Sequence, residues 1–91
     1  MKLPKTTGDL IRHYRVAKGQ RIRDAMIADG VPAGSLKKPE HIYSQADLAE
    51  DCGTSASAIS AWERGEKQPQ VASIRKLAGA LEVPVSDLLG E

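Results

Sequence analysis

The sequence predicts an all-α protein, and three observations carry that expectation. No segment sustains the period-two alternation of apolar and polar residues that a half-buried strand needs. Val71, Ile74, Leu77, Ala78 and Leu81 recur at i, i+3, i+6, i+7 and i+10, one apolar stripe of a helix. Helix-start and helix-stop residues also bracket short segments, with Ser44 three residues before Asp47, then Gly53 followed by Thr54-Ser55.

Taken in order, Gly8 and Asp9 can open a first helix that runs through Leu10 and Ile11 to at least Lys18. Ile11, Tyr14, Ile22, Ala25 and Met26 share one helical face. Gly19 interrupts the pattern. Either the helix spans 9–19 and caps there, or it continues to about residue 29 at a cost of roughly 1 kcal/mol relative to Ala. From Gly30 to His41 the chain is punctuated by Gly30, Pro32, Gly34 and Pro39, which reads as a long exposed loop. Ser44-x-x-Asp47 has the form of a capping box, Asp standing in for the usual Glu or Gln, and opens a helix carrying Ala46, Leu48, Ala49 and Cys52. Gly53 can supply the left-handed conformation that ends it. Thr54-Ser55 offers the next N-cap oxygen, and a second helix runs through Ala58, Ile59 and Trp62 to near Gly65. The stripe from Val71 continues until Pro84, and Val85 to Leu89 forms one last turn or short helix. The paired short helices thus occupy 44–64 and the C-terminal helices 70–90.

With 91 residues the chain is a single domain, and a multidomain enzyme is excluded. The hydrophobic share is 41% with no Phe, one Trp and two Tyr, so the core is aliphatic and small: Ile11, Tyr14, Leu48, Ala49, Cys52, Ile59, Trp62, Ile74, Leu77 and Leu81 are its expected members. No apolar run approaches the roughly 18 residues of a membrane span. Residues 1–8 offer no hydrophobic region of the secretory kind. A single cysteine cannot form an internal disulfide and fits a reducing cytoplasm. The net charge of +1 hides an asymmetry: residues 1–23, with Lys2 and Lys5 among their cations, carry +6 and residues 24–91 carry −5. A basic amino-terminal third suits a polyanion approached from one side, and equally a solvated helix face.

The informative stretch is Ser44 to Gly65. Two short helices joined through Gly53 must cross closely. Ala49 supplies a small residue at the crossing, and Leu48, Cys52, Ile59 and Trp62 supply inward anchors. Ser55, Ala56, Ser57, Ser60 and Ala61 are left facing outward. Such small residues let a helix enter a groove about 12 Å wide with its backbone near the base edges.

These residues resemble the helix-turn-helix of the Cro/repressor (xenobiotic-response-element, lambda-repressor-like) family. The resemblance rests on the order SQxxLA, Gly, Ser, IS and WERG over 44–65. It extends to Pro69, Lys76-Leu77-Ala78, Ala80-Leu81, Val83, Asp87-Leu88-Leu89 and the opening Ile11-Arg12-x-x-Arg15-x-x-Lys18-Gly19. It implies a compact bundle of five helices whose third enters the major groove of double-stranded DNA, with no enzymatic activity and no cofactor. It implies DNA contacts from Ser44, Gln45, Ser55, Ala56, Ser57, Ser60 and Ala61; Lys67, just past Gly65, reads equally as a phosphate contact and as a solvated loop lysine. It further implies an ion pair between Arg15 and Glu63, and a cytoplasmic, bacterial or phage-encoded regulator of transcription. A repressor acting as a homodimer through the apolar tail Val83, Val85, Leu88 and Leu89 is the first expectation. An antitoxin on the same fold, neutralising a toxin-like protein partner, is the alternative. Two of the reading residues are alanines, whose methyls can meet a thymine methyl but cannot hydrogen-bond, so specificity also draws on DNA shape.

The family joins its first two helices by one or two residues, whereas here residues 20–42 intervene. Three roles compete for this insertion. It lengthens the first helix into a dimer surface through Ile22, Met26 and Ile27, or it places Arg21, Arg23, Lys37 and Lys38 on neighbouring DNA, or it is a surface excursion without a task. Elsewhere the chemistry is plain. His13 and His41 share no zinc-ligand spacing with Cys52, so no metal site is expected. Cys52 reads as a small core hydrophobe, and the serines have no His–Asp partners for nucleophilic catalysis.

Overall fold

In a computed structural model, which describes residues 6–89, helix α1 runs Thr7–Ala28 without a break. Lys2, Lys5 and the end of the expected 70–90 segment lie outside the described residues. Thr6, rather than Gly8 or Asp9, caps the helix: its Oγ1 accepts the Asp9 N–H at 3.1 Å, and the Asp9 carboxylate faces the positive end of the helix dipole. Gly19 does not stop α1, because its missing side chain serves packing rather than a turn. A Cβ there would overlap the Pro39 carbonyl, and one at Gly8 would overlap the carbonyls of Trp62 and Glu63. The helix ends instead at Asp29-Gly30, where Gly30 takes a φ of +97°.

The stretch expected as loop contains two further elements. A single 3₁₀ turn covers Ala33–Ser35, and a one-turn helix α2 covers Pro39–Ile42. Pro39 looked like loop punctuation, but at the first position of a helix its fixed φ and missing N–H are favourable. Helices α3 (Gln45–Cys52) and α4 (Ala56–Glu63) follow, then α5 (Val71–Leu81) and a 3₁₀ turn over Val85–Leu88. The described residues are thus all-helical, with five α-helices, one of which comes from the insertion.

The core lies where α1, α3, α4 and α5 meet. Ile11, Leu48, Ile59, Leu77, Leu81 and Leu88 are fully buried, with Tyr43, Ala49, Cys52, Ile74 and Ala78 around them. Each such aliphatic side chain contributes roughly 1.5–3 kcal/mol by leaving water. Two expected members sit at the margin: Tyr14 and Trp62 are only partly buried and pack against the cluster. Trp62 borders a shallow cleft with Cys52, Thr54, Ser73 and Lys76, which leaves part of its ring uncovered. Leu88, expected in a dimer-forming tail, belongs to the core instead. The turn after Pro84 lays it against α5 and α1. Ala25 and Met26, at the far end of the apolar face of α1, are exposed. At 22 residues α1 is about 33 Å long and overshoots its neighbours, so its last turns have nothing to bury them.

The glycines give a sharp test. Gly19→Ala is expected to destabilise by about 1–3 kcal/mol, because forced overlap with a backbone carbonyl outweighs the roughly 1 kcal/mol gain in helix propensity. Gly79, inside α5 with nothing within 4 Å of a built Cβ, should show the opposite sign, Gly79→Ala stabilising by about 0.5–1 kcal/mol. Urea denaturation of the two variants measures both; a stabilised Gly19→Ala would contradict the close α1–α2 crossing.

A polar knot ties α1 to α3 and α5. The Lys18 ammonium donates to the Ala80 carbonyl at 2.7 Å and lies 4.5 Å from the centre of the Tyr43 ring, whose hydroxyl donates to Asp51. Burial, followed by the neighbouring Asp51 carboxylate, raises the Tyr43 phenol above its ordinary 10.0 and the Cys52 thiol above its ordinary 9.0. Both groups therefore hold their protons more tightly folded than unfolded. The stability this represents is complete below about pH 9 and is lost as pH rises through the folded-state values. Urea midpoints should fall from about pH 9 upward, and Tyr43→Phe should flatten that fall.

Candidate nucleic-acid interface

The α3–α4 pair is built from local chemistry. Ser44 and Asp47 close a reciprocal capping box: the Ser44 N–H donates to Asp47 Oδ2 at 2.9 Å, and the Asp47 N–H donates to Ser44 Oγ at 3.2 Å. At the other end Gly53 adopts φ +69°, and the Thr54 N–H returns to the Ala49 carbonyl at 2.9 Å. The chain reverses within three residues, and Ser55 caps α4 by accepting the Ala58 N–H at 3.2 Å. Ala49, buried at the crossing, lets the helices approach.

Behind this pair stands the ion pair of Arg15 and Glu63. Arg15 Nε lies 2.7 Å from Glu63 Oε2 and its Nη2 lies 3.2 Å from Oε1, a two-pronged contact with side chains only 4% and 3% exposed. Arg15 Nη1 also donates to the carbonyls of Glu40 (3.0 Å) and Tyr43 (2.9 Å), and the Gln45 amide donates to Glu63 Oε1 at 3.2 Å. One guanidinium therefore fixes α1, the inserted α2, the start of α3 and the end of α4 together. No buried side-chain nitrogen or oxygen among the described residues lacks a partner.

On the outer face Ser55, Ala56 and Ser57 are exposed and form the first turn of α4. Ser60 and Ala61, expected to face outward with them, are half-buried. At this end α4 closes with the Ser60 carbonyl accepting the Arg64 N–H and the Ala61 carbonyl that of Glu66. The open small-residue surface is therefore the start of α4 rather than its whole length. Ser44 and Gln45 are half-buried, Gln45 being engaged with Glu63, and Lys67 is exposed past the Gly65 turn.

Of the four basic residues singled out in the insertion, two have partners within the bundle and two are open to solvent. Arg21 pairs with Glu82 beyond the end of α5 at 3.7 Å, and Arg23 donates to the Ala33 carbonyl at 3.3 Å. Lys37 and Lys38 are exposed ahead of α2. An open groove of about 420 Å³ does lie in front of α3 and α4, and its basic lining comes from Arg12, Arg15 and His41, beside Glu40, Ser44, Gln45, Ala46 and Ala56. Arg12 and His41 were not read as site residues. The only sequence signal for Arg12 was its place one turn before Arg15 on the same helix face, and His41 carried none.

Among the described residues no three His, Cys, Asp or Glu side chains cluster as a metal site, and no helix is long and apolar enough to cross a membrane. Comparison with curated proteins and with solved structures gave no match. A family model described as helix-turn-helix matches residues 35–88, more than half of the chain, and that span contains α2, α3, α4, α5 and the final turn. With the capped α3, the tight Gly53 turn and the exposed start of α4, this match shows that the chain belongs to the Cro/repressor-type helix-turn-helix family of DNA-binding regulators.

Proposed function

We propose that the chain is a sequence-specific transcriptional repressor that acts as a homodimer on a two-fold operator. The observation that carries this reading is the exposed first turn of α4, where Ser55, Ala56 and Ser57 leave the backbone free to approach base edges. Ser44, Gln45 and Lys67 are read as contacts to the sugar–phosphate backbone, Ser60 and Ala61 as flanking ones. The first turn is read as the main reading element, a reading that the half-buried state of Ser60 and Ala61 supports. Two small modules one DNA turn apart would combine modest contacts into useful affinity. Val85 and Leu89 remain exposed for pairing, as do Met26 and Ile27. We read the protein as cytoplasmic, of bacterial or phage origin, and without catalytic activity.

The alternative, an antitoxin or other protein-interaction module on this fold, draws support from charge. The net charge is only +1, and Arg12, Arg21 and Arg64 each face a surface carboxylate. Selection of bound fragments from genomic DNA tests the leading reading, since a two-fold consensus would report both specificity and symmetry. Affinity for that site is expected to fall by about 10³-fold or more between roughly 50 and 200 mM salt if about six phosphates are neutralised. A flat response would favour the interaction module.

A further inference from the structure

The inserted segment is held more firmly than a surface excursion requires. The Pro39 carbonyl rests against the bare Cα of Gly19, and the Glu40 and Tyr43 carbonyls both accept from Arg15 Nη1. These anchors fix α2 in front of the start of α3. There it forms, with Arg12, one wall of the 420 Å³ groove whose other wall is Ser44, Gln45, Ala46 and Ala56. Two N–H-bearing side chains of the first wall reach well into solvent, Arg12 at 57% and His41 at 65% exposure. Glu40 stands between them, its carboxylate 3.3 Å from Arg12 Nη2 and 3.8 Å from His41 Nε2.

We propose that α2 is a second duplex-docking element: Arg12 and His41 grip the sugar–phosphate backbone beside α4, and Glu40, paired with Arg12, gives it up when a phosphate takes its place. This rests on the DNA-binding reading and adds to it the task of the insertion. An exposed Arg–carboxylate pair is weak and screened by salt, so exchanging Glu40 for a phosphate costs little. A guanidinium matches phosphate with two parallel hydrogen bonds, and an imidazole N–H donates to a phosphate oxygen in either protonation state. The groove also opens on the start of α4, whose first amides favour an anion, whereas the start of α3 already holds the Asp47 carboxylate of its capping box. Arg21 and Arg23 make their contacts elsewhere, and the basic side chains that line the groove itself are Arg12, His41 and the pinned Arg15. Glu40 acts against binding, as a carboxylate facing the incoming phosphate.

The test is the salt dependence of affinity for a duplex selected by the unaltered protein, measured for that protein and for Arg12→Ala, His41→Ala, His41→Arg and Glu40→Gln. Thermal melts run alongside to confirm folding. Arg12→Ala is expected to reduce the slope of log K against log salt by about 0.9, the equivalent of one phosphate, and to weaken binding roughly tenfold. His41→Ala should weaken it several-fold and His41→Arg should restore it. Glu40→Gln should tighten it several-fold without changing sequence preference, since backbone contacts carry no sequence information. If Arg12→Ala and His41→Ala leave affinity and slope unchanged while Ser57→Glu abolishes binding, α2 has no docking role and the DNA-binding reading survives. Weaker binding by Glu40→Gln would likewise overturn the exchange. If the unaltered protein selects no duplex at all, both readings fail together.

Discussion

Arg15→Ala is expected to destabilise the domain by about 3–5 kcal/mol, because it strands the buried carboxylate of Glu63. At 3% exposure Glu63 cannot recover water, and its remaining side-chain partner would be the neutral amide of Gln45. The same substitution leaves the Glu40 and Tyr43 carbonyls without their guanidinium donor, so α2 should loosen as well. For a domain of this size each kcal/mol is worth roughly 4–8 °C in melting temperature, which puts the expected loss at roughly 12–40 °C. Glu63→Gln tests the other partner, leaving the arginine charge buried without its counter-ion. The double variant Arg15→Met with Glu63→Leu should recover much of the loss, because removing both charges also removes the cost of burying them. Paired thermal and urea denaturation checks all three. A loss below about 1 kcal/mol for Arg15→Ala is the value for two solvated helix charges and would contradict the buried pair.

Ser57→Glu should abolish specific duplex binding while leaving the melting temperature unchanged or slightly higher. Ser57 is exposed in the first turn of α4, two residues after the capping Ser55. A carboxylate at that position meets the positive end of the helix dipole, which favours folding by about 0.3–1 kcal/mol. The same carboxylate would be driven against phosphates and base-edge acceptors if α4 enters the major groove. The opposed signs distinguish a lost contact from a lost fold, which the loss of binding alone would not. Ser57→Ala, which adds no charge, should weaken binding far less. Gel shift and calorimetric melting on the same preparations measure both properties, and intact binding by Ser57→Glu would move α4 off the DNA.

The segments that the sequence made legible are those whose ends carry their own chemistry. The Ser44–Asp47 capping box, the Gly53 turn and the Ser55 cap each satisfy backbone groups from within a few residues, so α3 and α4 could be read locally. The stripe of Ile74, Leu77, Ala78 and Leu81 was legible because periodicity reports which face is buried; Val71, at its head in the first turn of α5, is exposed instead. Gly19 was ambiguous because a buried glycine under a passing carbonyl and a glycine at a helix end look alike in sequence. What decides between them is Pro39, twenty residues away. Leu88 looked available for dimerisation because nothing local reveals that the turn after Pro84 returns it to the core. The groove side chains Arg12 and His41 come from separate elements that only the tertiary fold brings together. Ser60 and Ala61 are half-buried where their spacing alone left them facing outward.

The central claim is that the start of α4, backed by the start of α3, meets the duplex. It is tested most directly by following backbone amide resonances while a selected duplex is titrated into the labelled protein. The amides of Gln45, Ala46, Ala56 and Ser57 are expected to move most, with the exposed end of α1 around Met26 and Ile27 shifting little on the DNA side. Unmoved amides at Ala56 and Ser57, with the main changes on another face of the bundle, would contradict the claim.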